Sequence, residues 1–146
     1  RWFRELWPAA STRGGILAAG ADAATRLLDD QREKVVLHGD LHHDNVLDFG
    51  ARGWLAIDPK GLYGERTFDF VNMLRNPTDD VALASGRFQA QVACIAHEAH
   101  VDATRLLQWT LAFTCLSAAW ILGDGDDPLT DLAIATLAQQ ELTTSR

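Results

Sequence analysis

HGDLHHDN, residues 38–45, puts three histidines, two aspartates and an asparagine into eight positions. It decides the fold because the hydrophobic period changes on either side of it. Immediately before it, VVLH (35–38) is a short β-branched run of strand character. After it, NVLDF (45–49) and WLAID (54–58) are two more short apolar runs, separated by GARG, a turn sequence of hairpin length. The octapeptide therefore lies on a loop that leaves one strand and enters a hairpin.

Outward from this region the pattern is helical. PKGLYGER (59–66) reads as a glycine-punctuated loop, and TFDFVNMLR (67–75) as a helix that stops before Asn76-Pro77. Arg87 to His100 places Phe88, Val92, Ile95, Ala96 and Ala99 on one face. Asp102 is placed to cap a long apolar helix from about Ala103 to Leu122, with Leu106, Leu107, Thr110, Phe113, Ser117 and Trp120 on its inner face. Asp127-Pro128 is a cap and first-turn pair for a last helix with Leu129, Leu132, Ala133, Thr136, Leu137 and Leu142. At the other end, Trp2, Phe3, Leu6 and Trp7 have helical spacing before Pro8, and Ser11 or Thr12 is placed to cap a second helix. The expected class is α+β and mostly helical. A single domain over 1–146 would carry its polar loops on a small β-hairpin region, without the strand–helix alternation of a doubly wound sheet.

Composition narrows the function. The formal net charge is −7 and no Lys/Arg stripe is interleaved with aromatics, which argues against a nucleic-acid partner. An acidic surface suits a cationic small molecule. The apolar runs read as too short for the roughly 18–20 residues of a membrane span, and no signal peptide is visible. Cys94 and Cys115 fall in apolar helical patterns and read as small core residues in a reducing, cytoplasmic setting. The chain opens RWFREL without Met, which is expected of a processed product or a fragment.

The chemistry rests on three oxygen-bearing side chains. Asp40, just after a strand and beside Gly39, is placed as a general base for a hydroxyl. Asn45 and Asp58 supply an amide oxygen and a carboxylate, hard donors that suit Mg²⁺ and a nucleotide polyphosphate better than zinc. The order H-x-D-x-x-x-x-N followed by a hairpin and a second aspartate is the one that protein kinases use. A second reading takes the histidines as ligands of a metal-dependent phosphoesterase, for which His97 and His100 are the only further imidazoles.

HGDLHHDNVL, GWLAIDPKGLYGER, FDFVNMLRNP and LLQWTLAFTCLSAAW together resemble the aminoglycoside phosphotransferases, most closely their streptomycin 6-phosphotransferase and hydroxyurea-resistance branch. The resemblance implies a kinase-like fold, ATP, Mg²⁺ and phosphorylation of a hydroxyl on an aminocyclitol antibiotic, with streptomycin at its 6-position the expected substrate. By position it implies that Asp40 is the catalytic aspartate and that Asn45 and Asp58 are metal ligands. It also implies that His38 braces the loop and that Asp69 anchors it from the following segment. Members often have Pro-Gly where this chain has His43-Asp44, so the roles of His42 and His43 stay open.

The resemblance is to a C-terminal lobe. The only lysines are Lys34 and Lys60, neither on an earlier strand, and GGILAAG (14–20) sits in a helical pattern rather than after a strand. An inactive truncated lobe is therefore the alternative to a working phosphotransferase. Lys60 and Arg66 lie near where phosphates would sit, and Glu65, Asp124, Asp126 and Asp127 are candidates to meet a guanidinium.

Overall fold

The computed structural model describes residues 2–144. Its helices are α1 (Leu6–Arg13), α2 (Gly15–Asp29), α3 (Asp79–Ala82), α4 (Arg87–Glu98), α5 (Ala103–Asp124) and α6 (Leu129–Thr144). Its strands are β1 (Lys34–Leu37), β2 (Val46–Asp48), β3 (Trp54–Ala56) and β4 (Leu62–Glu65). The expected mostly helical α+β class describes this architecture, with two antiparallel two-stranded sheets, β1–β4 and β2–β3.

α5 is the axis. Asp102 Oδ1 accepts the Arg105 N–H at 2.7 Å and caps its start. A one-sided inner face was expected, but Leu106, Trp109, Leu111, Cys115 and Ala118 are all buried, so the helix is covered on every side. α2, α6 and the Arg66–Arg75 segment all pack on it. The same helix corrects the expectation about apolar runs. With 22 residues and a mean hydropathy of 1.5 it is long and apolar enough to cross a membrane, yet 72 % of that stretch is buried inside the protein. Gly20 lets α2 approach closely, because a Cβ there would fall on the Cys115 side chain. Burial pushes the Cys115 thiol up to about 12, which leaves it inert. Cys94, expected in the core, is exposed on α4.

α6 turns a different face inward from the one read in the sequence. Asp131, Ile134, Ala135 and Ala138 are buried, while Leu129 is exposed. The small alanines permit close contact with α5, and Asp131 pairs with Arg75, so an acid occupies a position that hydrophobicity alone gives to leucine. The N-terminal boundary also shifts. A 3-10 turn at Trp2–Glu5 runs into α1, which accepts Pro8 in its first turn, where a missing N–H is harmless. α1 runs on to Arg13 and ends at Gly14 and Gly15, both at positive φ, so Ser11 and Thr12 cap nothing.

The PKGLYGER stretch, expected as loop, contains β4, whose Leu62 pairs with Leu37 and Glu65 with Lys34 of β1. TFDFVNMLR, expected as an ordinary helix, lies in a 3-10 segment, Arg66–Arg75. With three residues per turn, side chains at i and i+3 eclipse. One row is therefore Phe68, Val71 and Leu74, all buried, and a neighbouring row is Asp69, Asn72 and Arg75. Phe68 anchors the apolar row through edge-on contacts with Trp109 at 5.4 Å and Phe113 at 5.5 Å.

A buried ion pair fastens β4 to α5. Arg105 Nε donates to Glu65 Oε1 at 2.8 Å and Arg105 Nη2 to Oε2 at 2.7 Å, a bidentate fork. The Arg32 N–H donates to the same carboxylate at 3.0 Å, and Arg105 Nη2 also reaches the Asp30 carbonyl. Burial alone would raise the Glu65 carboxyl, but the Arg105 and Arg32 donors outweigh it and hold the group below its ordinary value. Glu65, considered as a substrate contact, is therefore already committed. A depressed folded-state value gives stability that is present above the ordinary value of 4.5 and lost as pH falls through the folded one. Glu65→Gln leaves Arg105 buried without its countercharge and should cost about 3 kcal/mol by denaturant unfolding. Below about pH 4.5 the variant should also show a shallower acid-induced loss of stability than the wild type.

Candidate active site

Two connections cross at one end of the sheets: residues 38–45 lead from β1 to β2, and residues 57–61 from β3 to β4. They are stitched together by the backbone. The Ile57 N–H donates to the Asn45 carbonyl at 2.9 Å, and the Lys60 N–H to the His38 carbonyl at 2.7 Å.

Asp69 holds the first connection from below. Its Oδ2 accepts the His38 N–H at 2.8 Å and its Oδ1 the Gly39 N–H at 2.7 Å. His38 ties the two connections together, with Nε2 2.7 Å from the Ile57 carbonyl and Nδ1 3.2 Å from the Asp40 N–H. A carbonyl only accepts and an N–H only donates, so this network assigns the neutral Nε2–H tautomer. Gly39 sits at φ 82°, and a Cβ there would meet Leu62 at 3.0 Å and the Lys60 Cβ at 3.3 Å.

This frame presents Asp40. Its Oδ1 accepts from Asn72 Nδ2 at 2.9 Å, and its Oδ2 lies 3.5 Å from both Asn45 Nδ2 and Lys60 Nζ. Asn72 was not singled out in the sequence, although it stands three residues after Asp69. In the 3-10 segment that spacing eclipses the two on one row. Asn76 Nδ2 in turn donates to the Asn72 carbonyl at 2.9 Å.

Asn45 is buried and donates Nδ2 to the Asp40 carbonyl at 2.9 Å, which leaves its Oδ1 as the free donor atom. Asp58 is exposed and adopts φ 57°, a left-handed conformation that Asp tolerates better than most residues. Its Oδ2 accepts from Lys60 Nζ at 2.7 Å. That bond holds the Asp58 carboxyl below the usual range and raises the Lys60 ammonium. Asn45 offers an amide oxygen and Asp58 a carboxylate, the hard donor types that suit Mg²⁺ together with phosphate oxygens and water.

The histidines contribute less. Among the described residues, no group of three or more His, Cys, Asp or Glu side chains is placed together to hold a metal ion. His42 Nε2 lies 3.8 Å from Asp40 Oδ1, and its buried Nδ1 makes no hydrogen bond among the described residues. His43 is exposed. Arg66 leaves the site: it donates to the Ala99 carbonyl at 2.8 Å and pairs with Glu33 at 3.2 Å.

Beside Asp40 lies a cavity of about 460 Å³. Asp40, Lys60 and Asn72 form one part of its wall, and Trp2, Phe113 and Trp120 line it with aromatic surface. Arg75, third in the polar row, borders it and donates to Ser117 Oγ at 2.8 Å. Behind it Asp131 Oδ1 lies 3.1 Å from Arg75 Nε, close enough to pair but not aligned as a hydrogen bond. Burial pushes the Asp131 carboxyl up to about 6 against the pull of Arg75. A second cavity of about 300 Å³, lined by Phe3, Leu37, Tyr63 and Trp109 among others, holds none of the polar loop residues.

A family model described as aminoglycoside/hydroxyurea antibiotic resistance kinase matches residues 1–125. A streptomycin 3''-kinase of Klebsiella pneumoniae is 45 % identical over 97 % of this chain and 56 % of its own length. A streptomycin 6-kinase of Streptomyces glaucescens is 34 % identical over 85 % of this chain and 41 % of its own. A hydroxyurea phosphotransferase of Kitasatospora aureofaciens is 28 % identical over 83 % and 39 %. The chain spans about half the length of these curated relatives. No solved structure matches it.

The frame makes a stability claim of its own. Gly39→Ala combines an unfavourable positive φ with a close approach to Leu62, and should lower unfolding free energy by about 1–3 kcal/mol. Gly53→Ala, also at positive φ but with open space around its Cβ, should lose less in the same denaturant titration.

Proposed function

The chain belongs to the aminoglycoside/hydroxyurea antibiotic resistance kinases, and from that premise we propose that it is the C-terminal lobe of an ATP-dependent phosphotransferase acting on a hydroxyl of streptomycin. The observation that carries this reading is the Asp40 carboxylate, held by Asn72 at 2.9 Å on the wall of the aromatic-lined cavity, with Asn45 and Asp58 on the adjoining connections.

In this reading Asp40 is the catalytic residue and accepts or orients the proton of the attacking hydroxyl. Asn72 fixes one carboxylate oxygen so that the other faces the acceptor. Asn45 and Asp58 would hold Mg²⁺, which when bound supplies charge neutralisation for the nucleotide phosphates. His38 and Asp69 act through the loop backbone, keeping Asp40 and Asn45 in register. Rate enhancement then comes from positioning and fixed charge. The remaining nucleotide contacts would come from an N-terminal lobe, for which the longer relatives have room. A cytoplasmic enzyme would draw on the cellular ATP pool.

The acceptor pocket suits a cationic sugar. Trp2, Phe113 and Trp120 offer ring faces to C–H surface and to cations, and the chain carries a net charge of −7. Buried behind that wall, Asp131 pairs with Arg75. The higher identity of the 3''-kinase favours the 3''-hydroxyl over the 6-hydroxyl expected from the sequence motifs.

In the full-length protein, Asp40→Asn should lower kcat for streptomycin phosphorylation by about 10²–10⁴-fold, measured by ADP release. Asn72→Ala should lower kcat about tenfold with little change in KM, as expected for loss of a positioning bond. Product analysis by ³¹P and ¹H NMR should place the phosphate on the 3''-oxygen. Wild-type turnover by the Asp40→Asn enzyme would sink the assignment.

A further inference from the structure

Lys60 is more firmly placed than a half-exposed lysine needs to be. Its N–H donates to the His38 carbonyl at 2.7 Å, so its backbone is fixed to the start of the Asp40 loop. Pro59 precedes it and limits the rotation of the turn that joins it to Asp58. Its Cβ packs over Gly39, where a methyl group would approach to 3.3 Å. Its ammonium lies 2.7 Å from Asp58 Oδ2 and 3.5 Å from Asp40 Oδ2, on the wall of the cavity. An ordinary solvated lysine gains little from one surface carboxylate. Here a fixed backbone delivers one cation to two carboxylates, one read as a metal ligand and the other as the catalytic group.

Resting on the reading of Asp58 as a magnesium ligand, we infer that Lys60 is an exchanging cation of the phosphoryl-transfer site. Its ammonium and a bound Mg²⁺ would compete for the charge of the Asp58 carboxylate. With a metal on Asp58, the tethered ammonium would stay beside Asp40 and be free to meet the transferring phosphoryl oxygens. The argument is electrostatic. Two carboxylates face one ammonium, and Lys60 balances both before nucleotide binds. When Mg²⁺ and the phosphates enter together, Asp58 gains a divalent partner and the released ammonium faces newly delivered negative charge. Each charge is then matched both before and after loading. The lysine moves only within reach of its own side chain, since its backbone is bonded to His38. No covalent step at Lys60 is involved.

The test compares Lys60→Met, Lys60→Arg and Asp58→Asn in the full-length protein. Mn²⁺ alone, followed by EPR, is the binding probe. Lys60→Met should bind Mn²⁺ about three- to fivefold more tightly than wild type, because a competing surface charge has been removed. Lys60→Arg keeps the charge and should stay within about twofold. In phosphotransfer assays Lys60→Met should reach half-maximal rate at lower Mg²⁺, yet turn over about 10- to 100-fold more slowly. A lysine with a merely structural role would not produce that opposed pair of changes. Unchanged or weaker Mn²⁺ binding by Lys60→Met, or a wild-type kcat, would overturn the proposal. If Asp58→Asn leaves Mn²⁺ binding untouched in the wild-type background, the metal reading of Asp58 fails as well, a result distinct from failure at Lys60 alone.

Discussion

The site depends on one carboxylate that is not itself a reacting group. Asp69 takes the N–H groups of His38 and Gly39 on its two oxygens, at 2.8 and 2.7 Å. Bonds to an ionised acceptor are the stronger class, each worth about 1.5–3 kcal/mol. Everything downstream inherits that placement: the imidazole of His38 against Ile57, the left-handed turn at Gly39, and the direction of Asp40. Asp69 is itself fixed because its neighbour Phe68 is locked among Trp109, Phe113 and Phe3. Core packing is thereby converted into loop geometry within two adjacent residues.

The 3-10 segment makes that conversion efficient. Its rows at i, i+3 and i+6 put Phe68, Val71 and Leu74 into the core and Asp69, Asn72 and Arg75 along the site. Asp69 holds the loop, Asn72 bonds Asp40, and Arg75 borders the aromatic-lined cavity. In an α-helix the same residues would fan around the axis, and the three would not share one edge. The Glu65–Arg105 fork secures the opposite side, tying β4, which follows the 57–61 connection, to the central helix.

Much of this was legible in the sequence, and the gaps have physical causes. The loops that carry Asp40, Asn45 and Asp58 could be read from local pattern, and the structure brings Asp40 beside Asn45 and, through Lys60, beside Asp58. The strand β1, the β2–β3 hairpin, the α4 face and the Asp102 cap were readable in the same way. Asn72 and Arg75 were not picked out, because their partners lie far away in the chain: Asp40 for Asn72, and Ser117 and Asp131 for Arg75. The inward face of α6 was misread because Asp131 is buried by a partner, Arg75, that is distant in sequence. Cys94 was assigned to the core on its place in an apolar helical pattern, whereas its exposure depends on how α4 rotates against its neighbours. Arg66 looked like a phosphate contact from its position, but tertiary partners at Ala99 and Glu33 take it away.

The central claim is that Asp69 holds the Asp40 loop through two amides, and amide hydrogen exchange by NMR on Asp69→Ala tests it most directly. The account predicts that His38 and Gly39 exchange about 30-fold or more faster in the variant, while core amides of α5 such as Leu111 and Ala112 keep their protection. Wild-type protection at His38 and Gly39 in Asp69→Ala would contradict it.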